Sequence, residues 1–454
     1  MNRIARRSVA ILILVAVLVG GLGIFVGKFL AQGDDWVMHE GSPHIYSGEN
    51  LGTGVVVDRD DLLLLDLNSN RTYSVSKELR MSTLHWLGDR YGYVSAPAVA
   101  TYAQALAGYN SLTGLYSYSG AGQATLTLSA YLQMVALEAM GDYKGTLAVY
   151  NYKTGEILCA VTTPTYDPDN VPDIKNDTTG AYEGVYMNRF VQSVYIPGSI
   201  FKIITTAAAL EELPDIREMS YTCTAVHSYG ADSVTCEYAH GELDFDSALA
   251  QSCNCAFAQI MDRLGAEKLR QYVEKYQITH PVRFDGLTTA AGNFQAATSK
   301  VEAAWSGIGQ YTDQINPCRF MTFMGAIANG GAAVEPYIVK EVTCDGKVTY
   351  QATPTASERI MSQQIAEELQ ILMRNNVLEK YGPENFPGLT VCAKSGTGQV
   401  GGDQKSNAMF CGFVADEEYP LAFIVAVEDA GYGRFVCIPI LSKVLAACKE
   451  MMDT

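Results

Sequence analysis

A chain of 454 residues is longer than one hydrophobic core usually serves, so at least two folded units are expected. With 48% apolar and 18% charged residues, its composition is that of a globular protein rather than a disordered one. The 49 acidic and 32 basic side chains leave a formal net charge of −17, which excludes nucleic acid as a partner, because phosphates need a basic face.

Arg3, Arg6 and Arg7 precede an apolar stretch that carries no charge until Lys28 and includes the run from Val9 to Val19. At about 1.5 Å per residue such a helix spans the hydrocarbon core of a bilayer. The arginines before it, with Asp34 and Asp35 after it, put the N-terminus in the cytoplasm and the remainder outside the cell membrane. Residues 1–33 are therefore expected to be a cytoplasmic tip and single-pass transmembrane anchor. The alternative is a cleaved signal peptide, whose apolar region is usually shorter and ends in a small-residue cleavage site not evident here.

Residues 34–120 mix short strand-like runs, Gly54 to Val57 and Leu62 to Leu65, with tyrosine, glycine and serine. They read as a small, irregular, non-catalytic module, with the connector over 107–124. From residue 121 the pattern sharpens. A helix-period segment, Ser129 to Met140, leads into two apolar runs, Gly145 to Tyr150 and Glu156 to Val161, separated by Asn151-Tyr152-Lys153-Thr154-Gly155 and so predicting a β-hairpin. Three more strands are predicted at Thr390 to Lys394, Met409 to Val414 and Leu421 to Val427, and a closing helix at Val436 to Met452. Early and late strands around a helical middle imply an α+β domain over 121–454, an antiparallel five-stranded sheet flanked by helices.

Eleven cysteines is an odd number, so at least one thiol stays free or pairs outside the chain. Cys159, Cys392 and Cys411 sit in apolar runs, where a buried thiol behaves as a small hydrophobe. Such usage suits a reducing or anoxic exterior. Cys223-x3-His227 and Cys236-x3-His240 have spacings that can build a structural zinc site, with Cys253 or Asp232 replacing one ligand. A Cys223 to Cys236 disulfide and plain loop thiols fit the same spacing, so the metal ligands stay open.

Chemistry concentrates in three motifs. Pro197-Gly198 halts the chain before Ser199-Ile200-Phe201-Lys202, and Ile200 to Leu210 reads as a nearly all-apolar helix. A serine at a helix N-terminus can offer its own N–H to an oxyanion. Lys202, one turn on, can reach the hydroxyl, and its apolar neighbours favour the neutral amine that a base requires. Ser252-Cys253-Asn254 follows as the chain's single S-x-N, which alone could be a helix cap. Lys394-Ser395-Gly396-Thr397 ends a predicted strand, where its small residues let a substrate backbone lie alongside and its cation and hydroxyls can bind a carboxylate. Ser74-Val75-Ser76-Lys77 and Lys153-Thr154-Gly155 match the first and last patterns but lack the buried helix and the position in chain order.

In this order the motifs resemble those of the penicillin-binding proteins, S-x-x-K, S-x-N and K-[TS]-G around one serine. The resemblance runs from about Thr125 to the C-terminus and takes in Thr154-Gly155-Glu156-Ile157, Pro164-Thr165-Tyr166-Asp167-Pro168, Asn188-Arg189, Gly309-Gln310, Ile327-Ala328-Asn329-Gly330-Gly331 and Gly412-Phe413. Asp58-Arg59 resembles a signature of the monofunctional class B subfamily. The resemblance implies a D,D-transpeptidase that cross-links peptidoglycan. Ser199 would be acylated by a stem peptide ending in D-Ala-D-Ala, and Lys202 would be its base. Ser252 and Asn254 would relay the proton and hold the peptide, while Lys394, Ser395, Gly396 and Thr397 would form the carboxylate-binding strand. The N–H groups of Ser199 and Thr397 would make the oxyanion hole. β-Lactams would block the serine, no cofactor is required for catalysis, and a SEDS-type glycan polymerase is the implied membrane partner. Gly398 departs from the family's alanine and is expected to loosen the strand. A serine β-lactamase or D,D-carboxypeptidase shares the acylation machinery, and a non-catalytic β-lactam sensor or scaffold is the rival from another class.

Overall fold

In the computed structural model, which describes residues 2–37, 54–67, 71–102, 106, 109–110, 114–115, 122–344, 346–400 and 405–454, the chain begins with helix α1 (Asn2–Val37). Its stretch Arg3–Gly33 has a mean hydropathy of 3.0, none of its apolar window is buried against protein, and among the described residues it is the one helix long and apolar enough to cross a membrane.

Strands β1 (Gly54–Val57), β2 (Leu63–Asp66) and β3 (Thr72–Tyr73) lead into α2 (Lys77–Leu87). Ser76 caps that helix by accepting from the Leu79 amide, so the first S-x-x-K match is a helix start. The connector expected over 107–124 falls mostly outside the described residues. Next come β4 (Gly122–Leu126), α3 (Ala130–Met140) with Ser129 as its cap, and the hairpin β5 (Gly145–Asn151) and β6 (Ile157–Thr163). Gly155 sits at φ 83° in that hairpin turn, as the glycine-turn reading of Lys153-Thr154-Gly155 requires. Helix α4 (Lys202–Glu212) is followed by four short strands, β7 (Tyr221–Cys223), β8 (Val226–Tyr229), β9 (Asp232–Thr235) and β10 (Gly241–Leu243). Helices α5 (Phe245–Ala250) and α6 (Asn254–Leu264) come next, then α7 (Pro317–Ala328), β11 (Val339–Cys344), β12 (Lys347–Gln351) and α8 (Gln363–Asn376). The chain closes with β13 (Val391–Gly398), β14 (Asn407–Val414), β15 (Leu421–Val427) and α9 (Gly433–Asp453).

The expected five-stranded sheet has the order β13-β14-β15-β5-β6, antiparallel throughout. Alternation along its strands divides two cores. Leu147, Val149, Phe423 and Val425 face α3 and α9, in a core with Leu132, Ala136, Leu441 and Val444. Ala148, Tyr150, Ile424 and Ala426 face the helical middle, with Ile204, Phe320 and Met324. Because both faces are covered, the central strands read as continuous apolar runs rather than as alternating ones. Each large side chain so buried contributes roughly 1.5–3 kcal/mol.

A second sheet, of order β12-β11-β4-β1-β2-β3, joins segments remote in sequence, with β1 and β4 parallel. Three strands before residue 121 and three after it share this sheet, joined through the β1–β4 pair, so the expected boundary at 120/121 runs through a sheet. Short runs that looked irregular in isolation are ordered by distant partners: Val55 lies opposite Gln123, which itself lies opposite Thr343.

Candidate active site

Pro197 and Gly198 do more than stop the preceding chain. Gly198 adopts φ 54°, and a Cβ there would lie 2.3 Å from Thr397 O, so only glycine lets the Ser199 turn approach β13 this closely. Residues Gly198–Phe201 form a 3-10 turn, and the α-helix begins at Lys202. The sequence placed Ser199 at the head of one helix; the tighter turn instead presents it three residues ahead of the α-helix. Ser199 is half-buried and opens into a cleft of about 710 Å³ that also receives Ser252, Asn254, Ser395 and Thr397.

Lys202 is fully buried. Its Nζ donates to Ser252 O at 2.6 Å and to Asn254 Oδ1 at 2.8 Å, and it lies 3.3 Å from Ser252 Oγ. Lys394, also fully buried, donates from Nζ to Ser252 Oγ at 2.9 Å and to Ser395 O at 3.1 Å. The Ser252 hydroxyl thus stands between two amines. Burial brings the Lys202 amine down to about 7, and the neighbouring Lys394 charge pushes the same way. Burial brings Lys394 to about 7 too, with Cys411 acting in the opposite direction. Two ammonium groups on one hydroxyl repel, so near neutral pH the pair favours one charge over two. When Lys202 is the neutral partner, its two N–H groups are taken by Ser252 O and Asn254 Oδ1, and its lone pair remains to receive a proton.

The S-x-N serine is strained into position. Ser252 has φ 54°, a left-handed conformation unfavourable for a residue with a Cβ, and it links the end of α5 to the start of α6. Cys253 caps α6, its sulfur accepting from the Ala256 amide. Asn254 is the first residue of α6, and its Nδ2 donates to Thr235 O at 2.8 Å.

Gly309-Gln310 was singled out in the sequence only by resemblance, and Tyr381 not at all. The Gln310 amide donates to Thr397 O at 2.8 Å and accepts from the Gln399 amide, while Gly198 N donates to Gly309 O at 2.9 Å. Gly309-Gln310 therefore clips the Ser199 turn to the K-S-G strand. Tyr381 OH lies 3.0 Å from Ser395 Oγ and accepts from the Ser395 amide at 2.9 Å. Gly398, expected to loosen the strand, has no room for an alanine: a Cβ there would lie 2.1 Å from Ile196 O. Its smallness is a packing requirement.

Residues 145–446 match the family model for the penicillin binding protein transpeptidase domain. The chain belongs to the penicillin-binding protein transpeptidase family. It is 27% identical over 337 residues, 68% of either chain, to the peptidoglycan D,D-transpeptidase PbpA of Mycolicibacterium smegmatis. To the stage V sporulation protein D of Bacillus subtilis it is 30% identical over 329 residues, covering 68% of this chain and 49% of that protein. Among solved structures, penicillin-binding protein A from M. tuberculosis, as its ceftriaxone acyl-enzyme complex, superposes with a TM-score of 0.76 at 22% identity, covering 87% of this chain and 98% of that one. The D,D-transpeptidase domain from Eggerthella lenta gives 0.76 at 23% identity over 88% and 98%. This penicillin-binding protein has the fold expected from its strand order.

It also gathers thiols beside the S-x-N. All eleven cysteines are free, so the Cys223 to Cys236 disulfide is not formed. The ligand atoms of Cys223, Cys236, His240 and Cys253 all lie within 4.8 Å of one another. His227 is elsewhere, 3.0 Å from an Asp262 carboxylate, and Asp232 pairs with Tyr229 in the β8–β9 hairpin. The Cys223-x3-His227 pairing thus fails because Cys223 ends β7, which pairs with β10, whereas His227 lies on β8, which pairs with β9 in a separate sheet.

Proposed function

We propose that this chain is a membrane-anchored serine D,D-transpeptidase that cross-links peptidoglycan stem peptides and is blocked by β-lactams. The single observation that carries the reading is the buried Lys202 amine held by Ser252 and Asn254 next to the turn that presents Ser199. Neutral Lys202 takes the Ser199 proton as Oγ attacks the penultimate D-Ala carbonyl of the donor. The N–H groups of Ser199 and Thr397 receive the developing oxyanion. Ser252, bridged to both lysines, passes a proton to the departing D-Ala amine. Lys394, Ser395 and Thr397 bind the donor's terminal carboxylate, Gly396 leaves room for its backbone, and Asn254 orients the peptide. An acceptor amine then attacks the acyl-serine and the same relay runs in reverse. No step needs a cofactor.

Arg3, Arg6 and Arg7, at the start of α1, support a cytoplasmic N-terminus and an extracellular catalytic domain. A SEDS-type glycan polymerase is the membrane partner this arrangement suits, and co-purification from cross-linked membranes tests it.

The decisive experiment incubates the full chain in detergent with a labelled penicillin and follows the mass of the adduct. A lasting adduct on Ser199, absent in Ser199→Ala, is expected. Rapid release with drug hydrolysis would instead indicate the lactamase reaction, and absence of any adduct would exclude the assignment.

A further inference from the structure

The 23 residues from Tyr221 to Leu243 leave the helical core as two small antiparallel pairs, β7 with β10 and β8 with β9. Of these residues only Tyr221, Cys223, Val234 and Leu243 are buried. Three large apolar side chains and a thiol are a slender core for that length of ordered backbone, and small β-modules so poor in buried surface usually rely on a cross-link. The cross-link is not a disulfide, since every thiol is free.

The geometry of the thiols suggests what it is. Cys236 Sγ lies 3.7 Å from Cys253 Sγ, and Cys223 Sγ lies 3.3 Å from His240 Nδ1. A tetrahedral zinc with sulfur at about 2.3 Å and nitrogen at about 2.0–2.1 Å has edges of about 3.8 and 3.6 Å, close to these separations. Register explains the convergence. Cys223 pairs with Gly241, which puts His240 beside it, and Cys236 directly follows β9. Cys253 arrives from the opposite side, at the head of α6. The amides of Asn254 and Cys255 donate to Cys236 Sγ at 3.1 and 3.3 Å, and that of Ala256 to Cys253 Sγ at 3.4 Å. These N–H groups suit metal-bound thiolates, whose excess negative charge they share.

We propose that Cys223, Cys236, His240 and Cys253 bind one zinc ion, which staples the 221–243 excursion to the S-x-N loop and so sets the competence of Ser199 for acylation. Three thiols release their protons to solvent as three metal–sulfur bonds form, and the neutral imidazole supplies the fourth ligand. A soft tetrahedral set of three sulfurs and one nitrogen selects zinc over magnesium, calcium or manganese. The coupling to catalysis is covalent in its connectivity. Cys253 lies between Ser252 and Asn254, the two residues that hold the Lys202 amine, and Cys236 adjoins Thr235, whose carbonyl holds Asn254. The metal would therefore act through positioning and touch no reacting atom.

The coupling rests on the proposed role of Ser199, whereas the metal site does not, and the experiment separates them. The full chain, purified in detergent without chelator, should contain about one zinc per chain by mass spectrometry of the elements, following the single set of four ligands. Cys236→Ser and His240→Ala should lose it, while His240→Cys, which keeps four ligands, should retain it. Cobalt exchanged into the wild type should give the intense visible bands and thiolate charge-transfer absorption of a tetrahedral site, absent in Cys236→Ser. Stripping with a zinc chelator should slow penicillin acylation on the order of tenfold or more, with recovery on adding zinc. Protein free of zinc, or holding another metal in its place, or zinc content untouched by Cys236→Ser, would overturn the site. Unchanged acylation after complete stripping would overturn the coupling. Failure of Ser199 to acylate in the zinc-loaded protein would overturn the transpeptidase reading and with it the coupling, while the metal site would stand on its content and spectra.

Discussion

The cleft around Ser199 has two walls of unlike construction. β13 pairs with β14 over its whole length, Val391 to Gly398, and buries Val391, Cys392, Ala393 and Lys394 completely or nearly so. The other wall, supplied by the excursion around Cys236, is mostly exposed and is held by sulfur contacts and the Asn254 to Thr235 bond. The K-S-G strand is positioned by hydrophobic packing, and its placement should be indifferent to solution conditions. The S-x-N loop is positioned by polar and thiol groups, and should respond to them.

Perturbations of decreasing size test that contrast. Lys202→Ala should cut the rate of penicillin acylation by about 10²–10⁴-fold with the circular dichroism unchanged. In the wild type that rate should rise with pH and level off above about 7, because burial and Lys394 lower the Lys202 pKa to that value and the free base predominates only above it. A rate flat from pH 5 to 9 would contradict the neutral-base assignment. On the packed wall, Phe410→Ala removes a fully buried ring that stacks on Phe386 and Phe423, and should cost about 3–5 kcal/mol in denaturant unfolding. Gly398→Ala, with no room beside Ile196 O, should cost about 1–3 kcal/mol and slow acylation as the strand is pushed from the Ser199 turn. Tyr381→Phe removes the hydroxyl shared by the Ser395 side chain and amide, and should weaken β-lactam capture by about 1 kcal/mol with little change in melting temperature. Finally, amides of β8 and β9 should exchange with deuterium well before those of β14; equal protection would erase the distinction between the walls.

The contrast also explains what was legible in the sequence. The five strands announced themselves because each is buried on both faces, and Leu421 to Val427 can be read without knowing its neighbours. The three motifs were legible because their order and local composition survive without tertiary knowledge. The 3-10 turn at Ser199 was not, since it depends on Gly198 meeting Thr397, two hundred residues away. Tyr381 gave no sign of its role, and Gly309-Gln310 showed only a resemblance without one, because a hydrogen bond to a distant backbone leaves no periodicity. The six-stranded sheet was hidden for the same reason: β1 and β2 are four residues each and find their order only through β4 and β11. Around the thiols, spacing suggested two Cys/His pairs, whereas strand register admits Cys223 with His240 and turns His227 toward Asp262.

The sheet that straddles residue 121 bears on how this enzyme can be handled. Cutting the chain there to obtain the motif-bearing part would strip β1, β2 and β3 and leave β4 as a bare margin, its Gly54–Val57 partner gone. Unpaired strand margins recruit other chains. A fragment so trimmed would retain every residue of the three motifs and still precipitate, whereas one that begins ahead of Gly54 would keep its flank closed.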